Sequence, residues 1–305
     1  MSVVNTERPI TAKDCQQMIL ALVEKYPFCR TELLTRTQFG RPVRTLVIGH
    51  GPRKVIYSAA HHANEWITTP VILKFVEALA EAYANRLDLF GRSAQEILSA
   101  ATIYTVPMVN PDGVDLVLGV TDAAETGVAR ELAANYPEIP FPNGWKANLA
   151  GVDLNLQYPA GWLTAREIKF RQGYTMPGPR DYVGRAPLNQ PESRALAGYT
   201  EFIDPDLILA YHSQGKEIYW KFRDYEIPGA EALGQAFARV SGYTLSDTPY
   251  ASGFAGYKDW FIERFRKPGY TIEVGEGENP LPLSQFPEIY RDNLGILVLA
   301  ALGGE

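Results

Sequence analysis

The sequence predicts an α/β protein: a mixed, mostly parallel sheet covered by helices on both faces, in a single domain over residues 1–305. Three observations predict it. Short apolar runs such as Lys54–Ala60 and Leu207–Ser213 alternate with longer stretches at helical spacing. Two early strands, Val43–Gly49 and Lys54–Ala60, are separated only by His50-Gly51-Pro52-Arg53, which suggests a hairpin and hence a sheet that is not wholly parallel. No internal repeat or flexible linker divides the chain.

Taken in order, Thr11–Glu24 reads as a helix, with Thr11 able to cap it and Met18, Ile19, Leu22 and Val23 at helical spacing. The two strands follow, then a helix over Ile67–Tyr83 and a second helical piece near Ser93–Ser99. Thr102–Val109 is a further apolar strand, closed by the turn signal Asn110-Pro111-Asp112-Gly113. From Asp122 to Pro187 the chain is rich in Pro, Gly, Asn and aromatics with little periodicity. Its aromatic content predicts an ordered loop region packed on the body, and a stretch of that length is usually functional. Pro191–Phe202 reads as a helix, Leu207–Ser213 as a strand and Ile218–Phe222 as a possible one. Helices over Gly229–Ser241 and Tyr257–Phe265, a strand over Tyr270–Val274 and a helix over Pro287–Leu302 complete the chain.

Composition narrows the function classes. Of 305 residues, 46% are hydrophobic and 21% charged, and 29 Lys plus Arg against 35 Asp plus Glu leave a net charge of -6. That balance, with no basic run interleaved with aromatics, argues against a nucleic-acid surface. Cys15 and Cys29 are the only cysteines, too few for a metal knuckle or a disulfide framework, and read as small buried side chains in a reducing compartment. No signal pattern and no run of membrane-spanning length occurs, so the expectation is a cytoplasmic protein without membrane contact. The sequence is silent on oligomeric state.

The chemistry concentrates at strand ends. His61-His62-Ala63-Asn64-Glu65 follows the strand Lys54–Ala60, and His212 ends the strand Leu207–Ser213. Open α/β sheets build their sites there. One of the adjacent histidines with Glu65, and a distant His212, form a reasonable three-ligand catalytic Zn²⁺ site with a fourth position open. His212 by itself reads equally as a core histidine bonded to backbone, and His50, in a His-Gly-Pro turn, reads as a surface residue. A hydrolytic zinc centre also needs a carboxylate to take a proton from water and deliver it to the leaving amine. Glu273, inside the apolar strand Tyr270–Val274, is the candidate, unless it is an edge-strand glutamate facing solvent. Glu276 and Glu278 read as solvated.

Five ordered motifs (His62-Ala-Asn-Glu65-Trp66, Pro107-Met-Val-Asn110-Pro-Asp-Gly113, Gly151-Val-Asp153-Leu-Asn155, His212-Ser-Gln214 and Thr271-Ile-Glu273-Val274) resemble the zinc carboxypeptidase family over about residues 35–303. The resemblance implies a mixed eight-stranded sheet between helices, and one zinc per chain held by His62, Glu65 and His212. It also makes Glu273 the general base and acid, Asp153 the carboxylate that orients the His62 ring, and Asn155 a ligand for the substrate's terminal carboxylate.

Several positions depart from the family's digestive members. Leu156 stands where an arginine clamps a free C-terminal carboxylate, so trimming of ordinary peptides is in doubt. Lys146 stands where an arginine polarises the scissile carbonyl, and Asn64 where an arginine contacts substrate backbone. Tyr250 matches the family's mobile tyrosine. Lys258 falls at the base of the side-chain pocket and implies an acidic group on the leaving side, unless it is a snorkelling surface lysine.

Together these departures resemble one branch, the bacterial γ-D-glutamyl-meso-diaminopimelate peptidases that cut cell-wall stem peptides. Such a substrate carries several carboxylates, and Lys146, Lys258, Arg180 and Arg185 are the candidate cations. Arg180 is the proposed stand-in for the missing clamp, or else an ion-pair partner of Asp181. Many members of the branch carry wall-binding LysM repeats ahead of the catalytic domain. A chain that starts almost at once with that domain is expected to act on soluble muropeptides inside the cell. Two alternatives stay open: a carboxypeptidase for ordinary peptides, and a muropeptide-binding pseudoenzyme without turnover.

Overall fold

The computed structural model describes residues 2–304. Helix α1 (Ala12–Lys25) opens with a reciprocal cap: the Thr11 hydroxyl accepts from the Asp14 amide, and the Asp14 carboxylate accepts from the Thr11 amide. Strands β1 (Leu33–Arg36) and β2 (Pro42–Arg44) form a small antiparallel pair, and β3 (Leu46–Gly49) and β4 (Arg53–Ala59) follow. After helix α2 (Thr68–Asn85) come the two-residue strands β5 (Asp88–Leu89) and β6 (Arg92–Ser93), helix α3 (Ala94–Ala100) and strand β7 (Ala101–Val106).

β3 and β4 do not make the expected hairpin. β7 lies between them, antiparallel to β3 and parallel to β4. The turn shows why. The amides of His50 and Gly51 both donate to the Leu98 carbonyl, and a Cβ on Gly51 would stand 2.1 Å from the Ala100 carbonyl carbon. The glycine serves a close crossing by another segment instead of a reversal.

Asn110-Pro111-Asp112-Gly113 begins helix α4 (Pro111–Val117) instead of ending in a turn: the Asn110 side chain accepts from the Gly113 amide and Pro111 occupies the first turn. The stretch from 122 to 187 is ordered as expected but holds two helices, α5 (Ala123–Ala133) and α6 (Trp162–Arg171). α5 buries only Ala129, so it has almost no apolar stripe to read. Its capping box, Asp122 with Glu125, was the available signal.

Helix α7 (Pro191–Ile203), strand β8 (Leu207–His212), helix α8 (Ala230–Ser241), helix α9 (Tyr257–Phe265), strand β11 (Gly269–Glu273) and helix α10 (Phe286–Leu302) follow expectation, whereas β9 (Glu217–Tyr219) covers only the start of the strand expected over Ile218–Phe222. The unforeseen β10 (Thr244–Ser246) is a three-residue edge strand.

The main sheet runs β10-β9-β11-β8-β4-β7-β3, seven strands where eight were expected. Past β3 it continues only as one bridge from Arg30 to Val47, since the chain there turns into the β1–β2 pair. Four of its six pairings are parallel, with β9–β11 and β3–β7 antiparallel.

Alternation along the strands sorts side chains to two cores. Val55, Tyr57, Leu207, Leu209, Tyr211, Tyr270 and Ile272 pack with α2, α8 and α10. Ile56, Ile208 and Ala210 pack with α7 and α9. His212 is two residues beyond Ala210 and registers with Glu273, so both belong to the α7/α9 side. The parallel strands β4, β8 and β11 are neighbours and end together, which brings His62, Glu65, His212 and Glu273 to one edge of the sheet.

In the first turn of α7, Glu192 is fully buried and neither carboxylate oxygen makes a well-formed hydrogen bond among the described residues. Burial pushes its pKa from 4.5 up to about 7, with nearby Asp112 adding to the shift. The folded state therefore binds this proton more tightly than the unfolded chain. The associated stability is full below pH 4.5 and is lost as pH rises toward 7, about 3 kcal/mol in all. Glu192→Gln should remove that loss, so the wild-type melting temperature should fall relative to the variant between pH 5 and pH 8. Parallel melting curves across that range would show that Glu192 is not held protonated.

Candidate active site

The loop after β4 is fixed before any ligand is considered. Ala63 and Asn64 donate their amides to the carbonyls of Lys146 and Trp145, and the Asn110 carboxamide donates to the carbonyls of His61 and Ala147. A Cβ on Gly113 would come within 2.5 Å of the Ala147 oxygen, so α4 can press on this loop only through a glycine. The Asn110-Pro-Asp-Gly113 motif thus supports the site from below.

Three side chains converge on the loop's inner side. His62 Nδ1 is 2.9 Å from Glu65 Oε1, His212 Nδ1 is 2.9 Å from Glu65 Oε2, and the two Nδ1 atoms are 3.3 Å apart. Two Zn–N bonds at a tetrahedral angle would separate their nitrogens by about 3.3 Å, so the donor set and its spacing fit Zn²⁺. Among the described residues this is the one cluster of three or more such ligands. His62 Nε2 lies 3.2 Å from Asp153 Oδ1, and a proton there turns the Nδ1 lone pair toward Glu65 and His212. Among the described residues no carboxylate meets His212 Nε2, and the ring stacks on His61. His61 itself is buried, lies 3.3 Å from the Tyr158 hydroxyl and is not one of the three clustered ligands. The structure thus separates the adjacent histidines, and His50 is exposed as expected.

The electrostatics follow from burying these groups together. Burial works against charge on His62, but Glu65 and Asp153 outweigh it and push its pKa up to about 9. The same pairing, with Lys146 added, holds Glu65 well below the carboxylate range despite burial. Burial lowers His212 and His61 below the ordinary histidine value. Lys146 Nζ sits 3.0 Å from Glu65 Oε1; burial opposes its charge, and Glu65 and Glu273 keep its pKa raised.

Glu273 is not on an edge: β11 is flanked by β9 and β8. Its carboxylate makes no hydrogen bond or ion pair among the described residues and faces a cleft of about 640 Å³ shared with His62, Glu65, Lys146 and His212. Burial first, then Glu65, pushes it up to about 8. A dication bound at the cluster would pull it back down.

The cleft is also lined by Asn64, Asn155, Leu156, Lys169, Arg180, Asp181, Lys258 and Asp259. Asn155 Oδ1 accepts from the Tyr257 amide at 3.0 Å, and its Nδ2 makes no bond among the described residues. Arg180 is paired with Asp181 through Nε, at 2.6 Å, while its terminal nitrogens stay unpaired among the described residues. Lys169 on α6 holds the other oxygen of Asp181. The sequence reading missed Lys169 because α6 itself was unseen. Lys258 is buried, which removes the surface-lysine reading: Nζ donates to Asp259 Oδ1 at 2.6 Å and to the Lys221 carbonyl at 2.5 Å.

Two expected residues lie elsewhere. Tyr250 is 72% exposed against Phe254 and does not line the cleft, because its short turn sits on the rim. Arg185 is likewise exposed outside it. Both cysteines are buried and free, and no helix among the described residues is long and apolar enough to cross a membrane.

A mixed sheet with two imidazoles and a carboxylate at its strand ends defines a zinc hydrolase. The chain belongs to the zinc carboxypeptidase family, whose sequence model matches residues 15–295. It is 42% identical to gamma-D-glutamyl-L-diamino acid endopeptidase 1 of Lysinibacillus sphaericus, over 92% of this chain and 69% of that protein. It is 39% identical to the uncharacterized protein YqgT of Bacillus subtilis, over 92% of this chain and 74% of that one. Among solved structures, carboxypeptidase A from Helicoverpa armigera superposes with a TM-score of 0.75 at 17% identity, covering 98% of this chain and 75% of that one. The murein-tripeptide amidase MpaA from Escherichia coli O157 gives 0.54 at 18%, covering 88% and 91%. At those identities the likeness is one of fold.

Proposed function

We propose that this chain hydrolyses the amide bond between a γ-linked D-glutamate and a diamino acid, meso-diaminopimelate above all, in bacterial cell-wall stem peptides. The observation that carries the reading is the cleft wall: it presents Leu156, where the family resemblance puts a carboxylate-clamping arginine, together with Arg180, whose terminal nitrogens are unpaired among the described residues, while Lys169 is held by Asp181 and Lys258 by Asp259. The 42% identity to an endopeptidase named for γ-D-glutamyl-diamino acid bonds supports the same reading.

Zn²⁺ held by His62, Glu65 and His212 would supply Lewis-acid activation of water and carbonyl. Glu273, unpaired and facing the cleft, takes the proton from the attacking water and returns it to the leaving amine. Lys146 offers a positive charge where the carbonyl oxygen gains a negative one. Asp153 keeps His62 in the tautomer that presents Nδ1. Asn155 Nδ2 and the free end of Arg180 meet substrate carboxylates.

Incubation with L-Ala-γ-D-Glu-meso-diaminopimelate should give L-Ala-D-Glu and free diaminopimelate by mass spectrometry. A chelator should stop the reaction and added zinc restore it. Ordinary peptides trimmed as fast from their C-termini would instead favour a general carboxypeptidase. One equivalent of bound zinc with no muropeptide cleaved would favour a binding protein without turnover.

A further inference from the structure

Lys258 does not offer the cleft a lone cation. It sits beside Asp259 at the start of α9, both side chains are 4% exposed, and the ammonium is 2.6 Å from Asp259 Oδ1. Both residues line the same cleft as the metal-ligand cluster, next to Asn155, whose carboxamide holds the Tyr257 amide of that helix.

Each group retains unused capacity. The ammonium has three donors, of which Asp259 and the Lys221 carbonyl take two. The Asp259 carboxylate accepts from Lys258 on one oxygen and from the Gly256 amide on the other, leaving lone pairs on each.

We infer that Lys258 and Asp259 act as a matched pair that reads an amino-acid head group, one carboxylate and one ammonium together, at the far end of the leaving residue. The inference rests on the peptidase reading and specifies its leaving group. A lone carboxylate entering this pair is attracted by Lys258 and repelled by Asp259, and a lone ammonium meets the reverse, so neither gains much. A zwitterion gains on both sides and leaves no buried charge unpaired. Of the common diamino acids, diaminopimelate carries such a head group on its side chain, and lysine carries only the amine.

The test uses the whole protein and three tripeptides, L-Ala-γ-D-Glu-X, with X as meso-diaminopimelate, lysine or 2-aminopimelate. Wild-type kcat/KM should be about 10- to 100-fold higher for diaminopimelate than for either analogue, the range set by one charged hydrogen bond. Lys258→Met should collapse the preference over lysine, and Asp259→Asn the preference over 2-aminopimelate. Equal turnover of diaminopimelate and 2-aminopimelate by the wild type would overturn the pair in favour of Lys258 alone. Equal turnover of diaminopimelate and lysine would show that no carboxylate is read. These wild-type comparisons decide the matter even if a variant fails to fold. Cleavage of none of the three would refute the peptidase reading and the pair with it, whereas cleavage without discrimination refutes only the pair.

Discussion

Glu273→Gln should lower kcat/KM on a γ-D-glutamyl tripeptide by about 10³- to 10⁴-fold while zinc content stays at one per chain. The structure separates this carboxylate from the ligand set: it makes no hydrogen bond or ion pair among the described residues, and the metal-ligand cluster comprises His62, Glu65 and His212 without it. Replacing it with an amide of the same shape therefore removes a proton carrier and little else. Burial and Glu65 already disfavour its charge in the protein alone, so the neutral variant should melt no lower than the wild type. Activity should stay low at every pH, because an amide cannot be titrated back into a base. Retained turnover with zinc bound would remove Glu273 from this role.

Glu65→Gln should fail differently, by losing the metal. One carboxylate here meets His62, His212, Lys146 and the Ser213 amide. A carboxamide of the same size turns one of those oxygens into a donor and removes the charge that balances Lys146. Zinc affinity should drop by more than the roughly 10- to 100-fold that loss of an outer hydrogen-bonding partner costs. The protein should also be destabilised, by about 3–5 kcal/mol, because a buried ammonium and imidazole lose their counter-charge. Zinc per chain after dialysis and melting in chelator measure the two effects separately. A Glu65→Gln protein that held zinc like the wild type would remove Glu65 from the ligand set. With Glu273→Gln retaining zinc, the two variants divide binding from proton transfer.

Much of this site was legible in the sequence, because its ligands stand at the ends of apolar strands and a strand's alternation is local information. His212 and Glu273 show the gain from structure: two distant residues become neighbours through the β8–β11 register. The hairpin between β3 and β4 was misread for the converse reason. A short turn with glycine looks the same whether the strands pair or a third strand enters between them, and only contact with Leu98 and Ala100 distinguishes the cases. Helices α5 and α6 carry little apolar patterning, so neither they nor the placement of Lys169 on α6 is legible in the sequence.

The amino-acid order pointed to hydrolytic zinc chemistry through the five motifs that resemble the zinc carboxypeptidase family, and that resemblance, not residue type alone, singled out His62 over His61 and gave Glu273 its role. How the cleft is charged follows from the folded arrangement. Lys258 reads as a cation in one dimension, yet buried against Asp259 it is half of a neutral pair. Arg180 is paired through Nε and open at its tip, and Tyr250 stands on the rim. The reason is physical: a side chain's type is written locally, but its effective charge and reach depend on the neighbours that folding brings to it and on the water that folding removes.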